Sequence, residues 1–154
     1  IYMEKPYTHE RYQKIIEKFN PDVIALSGWL KLVTGLDPQK TINIHPGPLP
    51  RFGGPGMYGH HVHQAVIESY KRGEVTHSAV TMHFVTEKYD EGPVFFVCKI
   101  PIEPDDTAET LAKRVNQAEH RFQPEITAKV ACGKIGWDGE NPSTIFGKTE
   151  IDLV

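Results

Sequence analysis

The sequence predicts an α/β fold: a mostly parallel sheet flanked by helices. Three observations carry that expectation. A helical pattern stops at Asn20-Pro21 and gives way to the apolar run Val23-Ile24-Ala25-Leu26, which has the composition of a strand covered on both faces. Helical and strand patterns then alternate along the chain, as a parallel sheet with crossover helices requires. A second β-rich run, Thr41-Ile42-Asn43-Ile44-His45, stops at Pro46, Pro48 and Pro50. These prolines lack an N–H donor and fix φ, so the chain must leave the sheet there as a stiff loop.

In chain order, Thr8 is the N-cap candidate of a first helix of about ten residues, with Tyr12, Ile15, Ile16 and Phe19 at helical spacing. Asn20-Pro21 ends it. Residues 22–28 read as the first strand, residues 29–33 follow it, and Gly35 and Pro38 break the next stretch before the strand at 41–45. Phe52-Gly53-Gly54-Pro55-Gly56 is a turn. Residues 58–71 form a helix with Val62, Ala65, Val66 and Tyr70 on one stripe and Gly73 as its cap. A strand at 78–85 alternates Ala79, Thr81, His83 and Val85 against Val80, Met82 and Phe84. A loop at 86–93 leads to a strand at 94–102, bounded by prolines. Asp106 with Glu109 three residues on resembles a capping box. It opens a helix carrying Leu111, Val115, Ala118, Phe122, Ile126 and Val130, bent at Pro124. Past Gly133 the pattern weakens to small turn elements. No repeat or low-complexity segment appears, and residues 1–154 read as a single domain.

Composition narrows the function classes. The 154 residues, 39% hydrophobic and 24% charged, are ordinary for one globular core. A formal net charge of −3, with scattered Lys and Arg, gives no electrostatic case for nucleic acid or an acidic membrane. No apolar run approaches the roughly 20 residues of a membrane span, and no signal-peptide pattern is read at the start, which is Ile1 rather than Met. Cys98 and Cys132 form no CxxC and read as free thiols of a reducing compartment, so a cytoplasmic location is expected.

Asn43 and His45 lie two apart on a strand, so they share a face. They stand where the strand becomes a loop, at the carboxyl end where open α/β sheets hold ligands. His45 is a candidate general acid or base, and Asn43 a candidate oxyanion donor; the bland alternative is a hydrogen-bonded strand-end histidine beside a turn-shaping asparagine. Asp90 is the third candidate. An aspartate in such a loop is usually a turn former, but within about 4–6 Å of an imidazole it would raise the ring's pKa. His60, His61 and His63 start a helix, and His60 with His63 has the spacing for a metal such as zinc. No acidic or cysteine ligand adjoins them, so a partly exposed polar face is expected and no metal, with one of them reaching the active site as the lesser alternative. His83 reads as a satisfied strand histidine, His77 as surface, Asp105-Asp106 as helix capping, and Cys98 as a packed thiol.

Asn43-Ile44-His45-Pro46 with Leu49-Pro50, then His83-Phe84-Val85-Thr86 through Asp90-Glu91-Gly92-Pro93, resemble the folate-dependent formyltransferases. Within these, the chain is most similar to the phosphoribosylglycinamide (GAR) formyltransferases. Pro21-Asp22-Val23 through Gly28-Trp29-Leu30, Gly53-Gly54, and Gln117-Ala118-Glu119-His120 match as well. The resemblance implies a Rossmann-like formyltransferase fold and formyl transfer from 10-formyltetrahydrofolate to the amine of glycinamide ribonucleotide in de novo purine biosynthesis. Asn43, His45 and Asp90 match the catalytic trio. Asn43 would steady the oxyanion. His45, charged with the help of Asp90, would stabilise the intermediate and relay the proton to the departing folate nitrogen, with Asp90 also holding a water. Trp29, Leu30, Lys31, Leu32 and Val33, facing Thr86, Glu87, Lys88 and Tyr89, would hold the folate. Asn116 and Glu119 would bind the ribonucleotide.

There are departures. The family often has Ser-Leu-Leu-Pro after His-Pro where this chain has Gly47-Pro48-Leu49-Pro50, and Lys31 stands where arginine is common. The family's opening β-α-β portion, whose glycine-rich turn holds the nucleotide phosphate, finds no counterpart in residues 1–20. The expectation is therefore an N-terminally truncated fold, with residues 22–28 at or near an exposed edge that favours a homo-oligomer. Formyltetrahydrofolate hydrolase resembles the chain around the same motifs but uses water as acceptor. Methionyl-tRNA formyltransferase would want a nucleic-acid-binding domain and a basic surface. A non-catalytic folate-binding remnant is the alternative from another class.

Overall fold

The computed structural model describes residues 8–153, and expectations for residues 1–7 and 154 lie outside it. Helix α1 (His9–Phe19) follows Thr8, whose extended backbone makes it the N-cap, and ends at Asn20 with φ 39°. An asparagine before a proline is pushed out of the helical region and tolerates the left-handed one. Strand β1 (Ile24–Leu26) uses only the middle of residues 22–28 and pairs parallel with β2 (Thr41–His45). Ala25 is exposed, so the unbroken apolar run does not mean two covered faces: β1 is the edge strand of the described sheet.

Helix α2 (His60–Lys71) starts later than its pattern because Gly59, at φ 52° and ψ −131°, is not helical. Val62 and Val66 on the expected stripe are fully buried, Arg72 is the C-cap, and Gly73 follows at φ 71°. Strands β3 (His77–Phe84) and β4 (Val94–Pro101) pair antiparallel. Helix α3 (Ala108–Ala131) runs through Pro124 without ending.

The capping box belongs to Thr107 and Thr110, whose hydroxyls accept each other's backbone N–H at 3.2 and 2.9 Å. Asp106, expected to open that helix, instead binds the Arg114 guanidinium at 2.6 and 3.0 Å. Burial pushes its carboxyl up, but Arg114, Thr110 and the Glu103 amide hold it down to about 2.

A last strand, β5 (Thr149–Asp152), lies where only turns were expected and pairs parallel with β4. Its sequence Thr-Glu-Ile-Asp offers one apolar residue, too little to signal a strand before the partner is known.

The sheet order is β1-β2-β3-β4-β5, parallel at both outer pairs and antiparallel at the two inner ones. Four of the described strands therefore run one way and β3 alone is reversed, a mostly parallel sheet with a reversed centre. Helix α3 packs on α2, β3 and β4. The core under it holds Val62, Val66, Phe84, Phe96, Leu111 and Val115, all at 1% exposure or less, and each such side chain stabilises the fold by about 1.5–3 kcal/mol. Phe84 also stacks on Trp137 at 5.6 Å, while the Trp137 indole N–H donates to the Pro38 carbonyl at 3.1 Å. These contacts tie the carboxy-terminal segment to the turn that feeds β2.

Candidate active site

Reversal of β3 decides who meets Asn43. The antiparallel register sets His83 opposite Asn43, and Asn43 Nδ2 lies 3.2 Å from His83 Nε2. The His83 Nδ1–H donates to the Phe84 carbonyl at 2.8 Å. Nε2 faces Asn43 as an acceptor and, when it carries a proton, the Asp90 carboxylate as a donor, so it takes at most one of the two Asn43 amide hydrogens. The second hydrogen remains for a ligand. A register slip falls between Met82 and His83 in the β3–β4 pair, the kind of irregularity that re-aims a side chain beside a site.

The connection of residues 85–93 folds back over this face. Asp90 Oδ1 lies 3.4 Å from His83 Nε2, and Oδ2 lies 3.7 Å from His45 Nδ1. Oδ2 also accepts the Gly54 N–H at 2.9 Å. Asp90 adopts φ 53°, a left-handed backbone that aspartate tolerates better than most residues. A Cβ on Gly53 would stand 2.9 Å from Asp90 Cβ and 2.5 Å from Leu49 Cδ2, so the turn can approach the carboxylate only as glycine. Thr81 Oγ1 donates to the Gly47 carbonyl at 2.8 Å and holds the loop after His45 against β3. Where the family often has serine, a Cβ on Gly47 would meet Val62 Cγ1 at 2.6 Å; a serine would fit only after α2 shifts.

His45 Nε2 lies 2.7 Å from the Phe52 carbonyl oxygen. A carbonyl only accepts, so the proton sits on Nε2 and Nδ1 presents its lone pair toward Asp90. Burial holds the His45 pKa below the ordinary histidine value; Asp90 and the Phe52 carbonyl pull upward, and His83 adds to the depression. Asp90 does pull the His45 pKa upward, as expected, but desolvation is the larger influence, and a ring held below the ordinary histidine value is mostly neutral at neutral pH before reaction. For Asp90, burial pushes the carboxyl up, but the contacts with His83, the Gly54 amide and His45 more than offset it, leaving the group ionised below the usual aspartate range.

These groups line a pocket of about 840 Å³, within the range of small-molecule sites. Of the residues expected to hold folate, Trp29, Leu30, Lys31, Leu32, Val33, Thr86, Lys88 and Tyr89 line it, and exposed Glu87 stands outside its wall. The two segments are joined where the Leu32 N–H donates to the Tyr89 hydroxyl at 2.8 Å. Helix α3 contributes Asn116 and Glu119, with Asn116 Nδ2 donating to Glu119 Oε2 at 3.4 Å. Burial raises the Glu119 carboxyl, and Asn116 and His120 only partly offset it.

His83 and His63 are the residues that sequence reasoning missed. His83 is satisfied, as expected, but by partners within the cluster. His63, expected on a partly exposed face, is buried and lines the pocket with His60. Neither placement has a sequence signal apart from the strand register and the packing of α2.

Comparison with known proteins accords with this geometry. Residues 2–127 match the family described as formyl transferase. The chain is 37% identical to the chloroplastic phosphoribosylglycinamide formyltransferase of Arabidopsis thaliana over 142 residues, covering 90% of this chain and 47% of that protein. It is 30% identical to the phosphoribosylglycinamide formyltransferase of Escherichia coli (strain K12) over 124 residues, covering 78% and 54%. The chain thus spans about half the length of these relatives. Among solved structures it is similar to the phosphoribosylglycinamide formyltransferase of Coxiella burnetii, with a TM-score of 0.74 and 29% identity, covering 94% of this chain and 68% of that one.

Proposed function

The chain belongs to the formyl transferase family, and on that premise we propose that it transfers the formyl group of 10-formyltetrahydrofolate to the amine of glycinamide ribonucleotide, a step of purine biosynthesis. The observation that carries this reading is the convergence, at one pocket, of an amide with a spare N–H, a neutral imidazole and an ionised carboxylate: Asn43, His45 and Asp90. The pocket suits the co-substrate. Trp29, Leu30, Leu32 and Val33 form an apolar wall for a flat ring, and Thr86, Lys88 and Tyr89 line the pocket with them.

In the reaction, the lone pair of the amine forms the new C–N bond and the carbonyl π pair moves onto the formyl oxygen. The second amide hydrogen of Asn43 donates to that oxyanion, a contact whose loss typically costs about 10²–10³ in kcat. His45 Nδ1 takes the proton released as the amine nitrogen becomes cationic, and Asp90 stabilises the imidazolium that forms. The oxyanion pair then re-forms the carbonyl as the bond from the formyl carbon to the folate nitrogen breaks, and His45 gives the proton to that nitrogen and returns to its neutral state. One formyl group and one proton have changed nitrogens.

The test is formyl transfer by the purified chain with 10-formyltetrahydrofolate, with and without glycinamide ribonucleotide, following the deformylated folate. Turnover that requires the ribonucleotide is expected. Turnover without it would make water the acceptor and the chain a hydrolase. Folate binding with no turnover, unchanged by His45→Ala, would make it a binding protein.

A further inference from the structure

Beside the catalytic cluster, the start of α2 carries features that formyl transfer leaves unused. Gly59 has no side chain to cap the first-turn amides, and no acidic residue stands in that turn of the 12-residue helix. The His61 N–H donates to the Tyr58 carbonyl at 3.3 Å, but no side chain caps the turn and no carboxylate on it offsets the positive end of the helix dipole. His63, in the next turn, is 5% exposed, and its Nδ1 is sealed from solvent with no hydrogen-bond partner among the described residues. An unpaired buried atom is tolerated best when it carries no proton. The ring proton then sits on Nε2, and the ring lining the pocket presents an N–H donor. Tyr58, Gly59 and His60 line the same stretch of wall.

We propose that the first turn of α2, with His60 and His63, is a subsite for an oxyanion, a phosphate or carboxylate group, in the same pocket as His45. The donor set fits that chemistry: backbone N–H groups and imidazoles, with no acidic side chain on the turn. The titratable neighbours acting on His63 are His60 and His45, both basic. Burial, then these two rings, push His63 down to about 4, so the free protein offers a neutral donor that an anion would draw toward the charged form. The carboxylates lining the pocket sit on other elements: Glu109 and Glu119 on α3, and Asp90, which is engaged by His83, His45 and Gly54. Among the described residues no group of three His, Cys, Asp or Glu is placed to hold a metal.

The test is a ring-nitrogen NMR titration of the histidine-labelled chain with inorganic phosphate, and with formate as the carboxylate probe. Saturable shifts of the His60 and His63 signals are expected, with the His63 titration moving upward from about 4 in the bound state. His63→Leu should weaken phosphate about tenfold or more, while His63→Gln, which keeps a neutral N–H donor, should weaken it less. His77→Ala on the sheet margin should change nothing. Shifts that never saturate, or that persist unchanged in His63→Leu, would overturn the proposal, and the unsubstituted chain carries the test should that variant not fold. Glycinamide ribonucleotide separates the sources. Displacement of phosphate assigns the subsite to the acceptor's own phosphate, and simultaneous binding assigns it to a free oxyanion. The readout is binding, so it stands or falls apart from turnover.

Discussion

Replacing Asp90 by asparagine removes the charge facing His45 while keeping the side chain's size and a carbonyl oxygen that can still accept the Gly54 N–H. Asp90 Oδ2 and His45 Nδ1 are 3.7 Å apart, with both side chains largely out of water. At an effective dielectric near 20, unit charges at about 4 Å interact by about 4 kcal/mol. Because His45 rests neutral, the attraction is weak in the ground state and develops only once the ring holds the proton in transit. Such differential stabilisation raises kcat rather than lowering KM. Full loss corresponds to about 10³ in rate, and water entering the vacated position recovers part, so Asp90→Asn should lower kcat by about 10²–10³ with KM little changed. The assay is initial-rate formyl transfer at saturating substrates as a function of pH. The acid limb of kcat, where His45 must be neutral to accept the proton, should move to lower pH, because Asp90 is the largest influence pulling that pKa upward. A variant within about threefold of the parent rate would show that the carboxylate does not act on the imidazolium; an acid limb moving to higher pH would show that the two groups are coupled with the opposite sign.

Three further outcomes follow from the same geometry. Tyr89→Phe removes the acceptor of the Leu32 N–H and loosens the two walls expected to hold folate; KM for 10-formyltetrahydrofolate should rise several-fold with kcat nearly unchanged, by steady-state kinetics. Gly53→Ala drives a methyl against Asp90 and Leu49, so it should cost about 1–3 kcal/mol in urea unfolding and lower kcat as well. His63, held at about 4 instead of 6.5, gives the unfolded chain the greater proton uptake between those values. Its contribution is complete above about 6.5 and is lost as pH falls toward 4, at most about 3 kcal/mol. In phosphate-free buffer, His63→Gln should therefore show a flatter dependence of unfolding free energy on pH, and an unchanged slope would refute the assignment.

What the sequence could and could not disclose follows from the range of each interaction. Strand β2 and the loop after it are legible because proline acts locally: three prolines after His45 end the strand whatever surrounds it. The shared face of Asn43 and His45 is legible for the same reason, since alternation is a property of the strand itself. Asp90 was a candidate from its loop alone, but only the family resemblance set it with Asn43 and His45, because nothing in its own neighbourhood says that the loop folds back. The role of His83 depends on β3 running against its neighbours and on a one-residue slip beside it, which no alternation pattern encodes. The balance of influences on His45 was out of reach for a related reason. A nearby carboxylate can be guessed from motifs, but desolvation comes from the whole pocket, and here it is the larger influence. The two are linked in function. Burial that holds His45 below its ordinary value also pushes Asp90 up, and His83, the Gly54 amide and His45 more than offset that push. The cluster therefore holds its negative charge on one side and an empty proton site 3.7 Å away on the other. A proton in flight between two nitrogens needs that arrangement, and Gly53, by letting the backbone reach Asp90, is as necessary to it as the imidazole.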